Sequence, residues 1–290
     1  MNALQVLGAC ELGLIYGLVA LGVYISFRVI DFPDLTVDGS FPLGAAVTAS
    51  LLVQGCSPVL SFIVALFAGL LAGAVTAYLS VRWNILGLLA SILTMTALYS
   101  INLRIMGQQP NIALINEPTL FQDYSVLNVL FVLTVVTVLL LKMFFSSDFG
   151  LAMRASGINP KAGSAYGVSS GKVKFIALSM SNGLVAAAGA LFTQSQGFAD
   201  ISMGTGTIVI GLASVIIGES VFHPRSLGLA LFACVIGSVL YRLVISLALN
   251  ASEIGLQASD LNLLTAALVA TATILAKWMK KKQKKERVRA

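Results

Sequence analysis

The sequence predicts an all-α fold: a polytopic transmembrane helical bundle of about nine spans (eight to ten), amino terminus outside and carboxyl terminus cytoplasmic. Three observations predict it. Hydrophobic residues fill 58% of the 290 positions and charged residues only 10%, against roughly 25% charged in soluble domains. Apolar runs of about 17 to 25 residues recur along the whole length, each enough to cross a hydrocarbon core of roughly 30 Å as a helix. The runs show no strict alternation. A backbone in lipid must satisfy its own hydrogen bonds, so helices follow rather than a closed barrel.

In chain order the spans fall at 6–27, 41–54, 58–80, 86–102, 126–145, 174–194, 204–218, 226–249 and 261–277. Met1 to Gln5 carry no basic side chain and lead to Glu11. That stretch lacks the positive start of a cleaved signal peptide, so the first run reads as a retained span. The second and seventh spans are short and rich in Gly, Pro or Thr, which marks them as candidates for broken or steeply placed helices. Gly13 with Gly17 and Gly69 with Gly73 allow close helix approach. One membrane domain, 1–278, is expected, with a cytoplasmic loop at 147–173 and a basic cytoplasmic tail at 279–290.

Orientation follows from Lys and Arg, which short cytoplasmic loops retain during insertion. Eight cations, Lys277, Lys280, Lys281, Lys282, Lys284, Lys285, Arg287 and Arg289, crowd the carboxyl end. Such a cluster reads as an anchor on anionic headgroups rather than a nucleic-acid site. With that end inside, Arg28, Arg82, Lys142, Arg154, Lys161, Lys172, Lys174 and Arg225 also fall inside. Arg104 alone falls outside, beside Glu117, Asp123, Asp200, Glu253 and Asp260. Arg242 falls within the eighth span, where it serves either a structural pairing or the transport path. The structural reading is preferred.

Several chemistries lack their residues. The Gly171-Lys172 pair has no upstream Gly of a Walker A loop and is followed by Val173, so no ATP site is expected in this chain. Gly204 and Gly206 lack the third Gly of a dinucleotide fingerprint. One histidine, His223, excludes a multi-His metal centre, and no Gly-x-Ser-x-Gly elbow occurs. Cys10, Cys56 and Cys234 are widely spaced and read as small apolar fillers. Neither enzyme nor metal site is expected.

The basic loop carries the strongest signal. Asn159 suits a helix N-cap, Pro160 the first helical position, and Gly167 a left-handed terminus. The helix so defined, Pro160 to Tyr166, is too short to persist alone in water. Ala162, Ala165 and Tyr166 give it a small apolar face, and Lys161 a charged flank. A docking protein or the headgroup layer would each support it.

Here the sequence resembles the permeases of the branched-chain amino acid and ribose-type, binding-protein-dependent ABC importers. Gly150, Arg154, Ala155, Asn159, Ala162, Ala165, Gly167 and Val168 resemble that family's cytoplasmic coupling segment. The run from Gly183 to Gly189 is similar to its small-residue helix, and Ile30 to Ala45 to the entry of its central helix. The string Phe32 to Gly39 points to a less characterised, amino-acid-type subgroup. The resemblance implies two permease copies, cytoplasmic ABC ATPase subunits and an extracytoplasmic solute-binding protein. It implies ATP and Mg on the partner ATPase, with no cofactor on this chain, in the inner membrane of a bacterium. Gly150, Arg154, Ala155, Asn159, Pro160, Lys161, Ala162, Ala165, Tyr166 and Gly167 would then form the coupling surface, with Gly157 and Gly167 setting bends.

Asp31, Asp34 and Asp38 bracket the turn between the first two spans. They read as ion carriers of a gradient-driven secondary transporter, or as turn and cap residues, with Asp38 or Ser40 capping the second helix. The structural reading is preferred, although the resemblance brings Asp34 and Asp38 close to the translocation path. Thr94 and Thr96, with Ser100 and Asn102, are further candidates for that path.

Overall fold

The computed structural model describes residues 2–115, 117–122, 124–159, 163, 167–250 and 270–271. Among these, seven helices are long and apolar enough to cross a membrane, accompanied by the shorter apolar helix Val37–Val53. They correspond to the first eight expected spans. The ninth, 261–277, lies outside the described residues except at Ala270 and Thr271, as does the basic tail 279–290.

Helix α1 (Ala3–Val23) continues into a π-helical turn, Tyr24–Val29, and the chain then runs extended to α2 (Val37–Val53). The second span thus begins four residues earlier than expected and contains Pro42. Helix α3 (Pro58–Arg82) starts where the Ser57 hydroxyl accepts from the Leu60 amide at 3.3 Å, with Pro58 at the first helical position. Helices α4 (Gly87–Ile105), α5 (Val126–Ser146) and α6 (Asp148–Ile158) follow, then α7 (Ser170–Gln196), α8 (Thr207–Phe222) and α9 (Leu227–Asn250). Helix α7 ends at Gly197, whose φ of 76° is the left-handed closure that glycine adopts without steric cost.

Strands β1 (Asn111–Ala113) and β2 (Phe198–Asp200) pair antiparallel with Ile112 opposite Ala199. This ladder, joining the α4–α5 and α7–α8 connections, is a small addition to the all-α expectation.

Among the seven long spans α1 and α7 are the most enclosed, each 67% buried, whereas α3, α4 and α5 are 33%, 28% and 22% buried. The interior is built around α7, which packs along α3, α2 and α1. Its small residues make this possible: a side chain on Gly189 would overlap the Phe41 carbonyl, and one on Gly44 the Ala186 carbonyl. Backbones in lipid gain little from apolar burial, so such close packing is what holds helices together. Gly69 and Gly73 likewise meet the Asn182 and Leu178 carbonyls, and Gly13 meets Val239 of α9. Both expected glycine pairs therefore lie at helix contacts, although Gly17 approaches Val235 only at ordinary distance.

Candidate translocation and coupling site

Two helices start inside the bundle. The linker 30–36 turns inward, and Asp34 at its centre is fully buried. Its Oδ1 accepts from the Thr36 amide at 3.0 Å and its Oδ2 from Asn182 Nδ2 at 2.7 Å. Asn182 lies twelve residues into α7, roughly 18 Å from its start at about 1.5 Å per residue. Asn182 also donates to the Leu178 carbonyl at 3.0 Å and accepts from the Ser40 hydroxyl at 2.7 Å. Thr36 Oγ1 meets Thr76 Oγ1 of α3 at 2.8 Å. Linker, α2, α3 and α7 are thereby joined by one polar network.

Asp38 serves a different helix. Its Oδ1 accepts from the Ile208 amide at 2.7 Å and its Oδ2 from the Gly206 amide at 3.3 Å. These are orphan donors at the start of α8, and the N-cap position there is Gly206, which has no side chain to satisfy them. A carboxylate is the favoured group at that positive helix end. Asp38 therefore does not cap α2, and neither does Ser40, because α2 has already begun at Val37. Of the two spans marked as candidates for broken or steeply placed helices, the seventh is interrupted, a short 3-10 turn, Ile201–Gly204, preceding α8, whereas the second is one continuous helix through Pro42.

The loop between α5 and α7 packs against the π turn that continues α1. Helix α6 is capped by Ser147, whose hydroxyl accepts from the Gly150 amide at 3.3 Å. Met153 is buried in the core, Gly150 abuts Phe145, and a side chain on Gly157 would overlap the Val29 carbonyl. Gly157 is thus a contact onto the end of α1, not a bend. Beyond it, the Asn159 carbonyl accepts from the Gly163 amide, and Gly167 has φ 79°. The Val168 amide closes back onto the Gly163 carbonyl at 3.0 Å, as in a Schellman terminus. Pro160, Lys161, Ala162, Ala165 and Tyr166 lie outside the described residues. The sequence signal marks a single helix after Asn159, but an eleven-residue helix precedes that position and carries Gly150, Arg154 and Ala155.

Residues 6–276 match the family described as the permease component of the branched-chain amino acid transport system. The chain belongs to that family. The permease is 38% identical over 257 residues to the "Tyrosine transport system permease protein" of Clostridioides difficile, covering 88% of this chain and 86% of that one. It is 36% identical over 263 residues to an uncharacterised protein of Rickettsia prowazekii, covering 88% and 92%. Among solved structures, PsaBC from Streptococcus pneumoniae in complex with Fab matches with a TM-score of 0.55 at 14% identity, over 91% of this chain and 89% of that chain. This last likeness concerns the fold. The permease is therefore a multi-pass membrane component of a transport system and not itself an enzyme.

The four path candidates of the permease are not brought together. Asp34 belongs to the polar network around Asn182, and Asp38 to the start of α8. Thr94 is buried with its hydroxyl on the Ala90 carbonyl, whereas Thr96 is exposed on the outer side of α4, bonded to the Ile92 and Leu93 carbonyls. Asn102 donates to the Gly39 carbonyl at 3.2 Å. Arg242 stands 4.0 Å over the Tyr16 ring, a cation–π contact that fits the structural reading. Arg28, beside the linker, pairs with Glu219 of α8.

Sequence reasoning missed Asn182, the hub of the network. An Asn in the middle of a long apolar span was its signal. It also missed Ser147, a Ser followed by an acid at the start of a helix.

Proposed function

We propose that the permease is the membrane-spanning subunit of a binding-protein-dependent ABC importer, moving a small solute inward across the cytoplasmic (inner) membrane of a bacterium. ATP is hydrolysed by partner ABC ATPase subunits, an extracytoplasmic solute-binding protein delivers the solute, and two copies of the chain form the channel. The solute is an amino acid, and the name of the Clostridioides difficile relative makes tyrosine the first to test. The amino terminus is outside and the carboxyl terminus cytoplasmic, in nine spans.

The observation that carries the reading is the seat of α6 against the end of α1. One face of α6 is buried. The other exposes Leu151, Ala155 and Ile158, at helical spacing, with Leu151 51% and Ile158 88% exposed. An exposed apolar stripe at the cytoplasmic side fits a docked ATPase. Force applied there passes through Gly157 to Val29, and so to the linker that holds Asp34 and to the first turn of α2, which holds Asp38. The coupling segment is then Gly150, Arg154, Ala155, Asn159, Pro160, Lys161, Ala162, Ala165, Tyr166 and Gly167, widened by Leu151 and Ile158, with Gly150 on its inner, buried face.

Helix α4 supports a two-copy arrangement. It has the lowest hydropathy of the seven long spans, 1.4, and turns Thr96 and Ser100 outward. That face suits a second copy and the path between them, with Thr94 behind it.

Reconstitution tests the reading. The permease in proteoliposomes with its ATPase and binding protein is expected to accumulate radiolabelled tyrosine or another amino acid only with both partners and ATP. Uptake driven by an ion gradient without ATP would establish the secondary-transporter alternative instead.

A further inference from the structure

The exposed face of α4 differs from those of its neighbours. The middle of α5 exposes only apolar side chains, as at Val132, Val136 and Leu139, which suits contact with lipid tails. Along α4, Leu89, Leu93, Thr96, Ser100 and Arg104 are all exposed, and at steps of three or four residues they share one helix face. Ala90, Thr94, Leu98 and Asn102 form the opposite, buried face. The exposed stripe is graded from leucine near the start of α4, through two hydroxyls, to a guanidinium in the last turn.

Lipid tails do not suit this stripe. Ser100 has no hydrogen-bond partner among the described residues, and an unsatisfied polar group in hydrocarbon is costly. Thr96 gives its hydroxyl hydrogen to the Ile92 or Leu93 carbonyl, so its oxygen keeps an exposed lone pair. Arg104 forms no ion pair among the described residues. A cation in the last turn complements the negative end of a helix, which accounts for an Arg there but not for its alignment with two hydroxyls.

We propose that Arg104 is a specificity-determining residue of the permease: at the outer mouth of the path it takes the carboxylate of the incoming amino acid, while the hydroxyl oxygens of Ser100 and Thr96 receive its ammonium. This rests on the proposed importer of two copies with its path along α4. A guanidinium offers a carboxylate two parallel N–H donors. Ser100 lies one turn further in, roughly 6 Å along the axis at about 1.5 Å per residue, within reach of the other end of a small zwitterion. Two copies bring two guanidinium groups to one mouth, and an anion entering between them relieves their repulsion. Leu93 and Leu89 beyond the hydroxyls form an apolar neck. A solute without a carboxylate leaves the guanidinium groups unpaired and is disfavoured.

Thiol labelling of the full-length chain in oriented membranes tests this, in a background without Cys10, Cys56 and Cys234. Each rate is taken relative to that of a free thiol in solution. Ser100→Cys is expected to react from outside about tenfold faster with a sulfonate-bearing, anionic thiosulfonate than with a trimethylammonium-bearing, cationic one, because a cleft of one sign concentrates its counter-ion. Arg104→Gln is expected to bring the two rates together, and Arg104→Lys, which keeps the charge, to preserve the preference. Failure of Ser100→Cys to react with either reagent places that face in lipid and overturns the path along α4, and this site with it. Reaction at equal rates, or a preference that survives Arg104→Gln, overturns the role of Arg104 and leaves the path standing. Should Ser100→Cys fail to fold, Thr96→Cys, one turn deeper, decides by the same comparison.

Discussion

Asp38 shows how far one residue's role can lie from its neighbours in the chain. Its type and place announce a helix cap, and it caps a helix, but one whose N-cap position lies 168 residues later. Local pattern gives no access to that partner, because the demand arises at Gly206, where the chain supplies no side-chain acceptor. Asp38→Ala is expected to cost about 1–2 kcal/mol, the usual worth of a lost cap. Asp38→Asn is expected to cost less, since an amide oxygen still accepts one of the two bonds. Melting in detergent should therefore rank wild type above Asp38→Asn above Asp38→Ala. Equal melting of all three would show that α8 does not depend on this carboxyl. Asn182 is the converse case: a polar residue in an apolar span is conspicuous, but its three partners come from the linker, α2 and its own helix.

Among elements, α6 was half legible. Ser147 and Asp148 mark its start, but Gly150 and Gly157 weaken helix propensity within its eleven residues. Tertiary contact makes those glycines useful, since each permits approach to a backbone that any side chain would obstruct. Two substitutions separate the faces of α6. Ile158→Asp on the exposed stripe is expected to reduce ATP-driven uptake about tenfold or more, while melting stays within the roughly 0.5 kcal/mol typical of surface changes. Gly157→Leu on the buried side is expected to lower both uptake and melting, because α6 is pushed off Val29. Ala165→Arg, in the expected docking helix, should abolish uptake while membrane insertion remains normal. If Ile158→Asp transports at the wild-type rate, the stripe is not a docking surface.

Across the whole molecule, the bundle depends on α2, α3 and α7 meeting backbone to backbone. Gly189→Leu forces a branched side chain against the Phe41 carbonyl and is expected to cost at least the roughly 1–3 kcal/mol of ordinary overpacking. The readout is the yield and melting of detergent-solubilised protein, which should fall well below those of a lipid-facing change such as Phe131→Leu. Sidedness is tested by cysteine labelling in a background without Cys10, Cys56 and Cys234. A cysteine at Glu117 should react from outside, and one at Leu151 only after permeabilisation.

The sequence by itself determined that this chain crosses a membrane repeatedly as helices and where eight of those helices lie. Those properties follow from run length, composition and charge, which act locally and survive without knowledge of any contact. Only the tertiary structure decided that Asp34 and Asp38 serve α7 and α8, that α6 seats on the end of α1, and that Thr94 and Thr96 face opposite ways. These depend on which helices meet and at what rotation. In a chain whose spans are nearly all apolar, periodicity carries little information about rotation, so packing between small residues settles it.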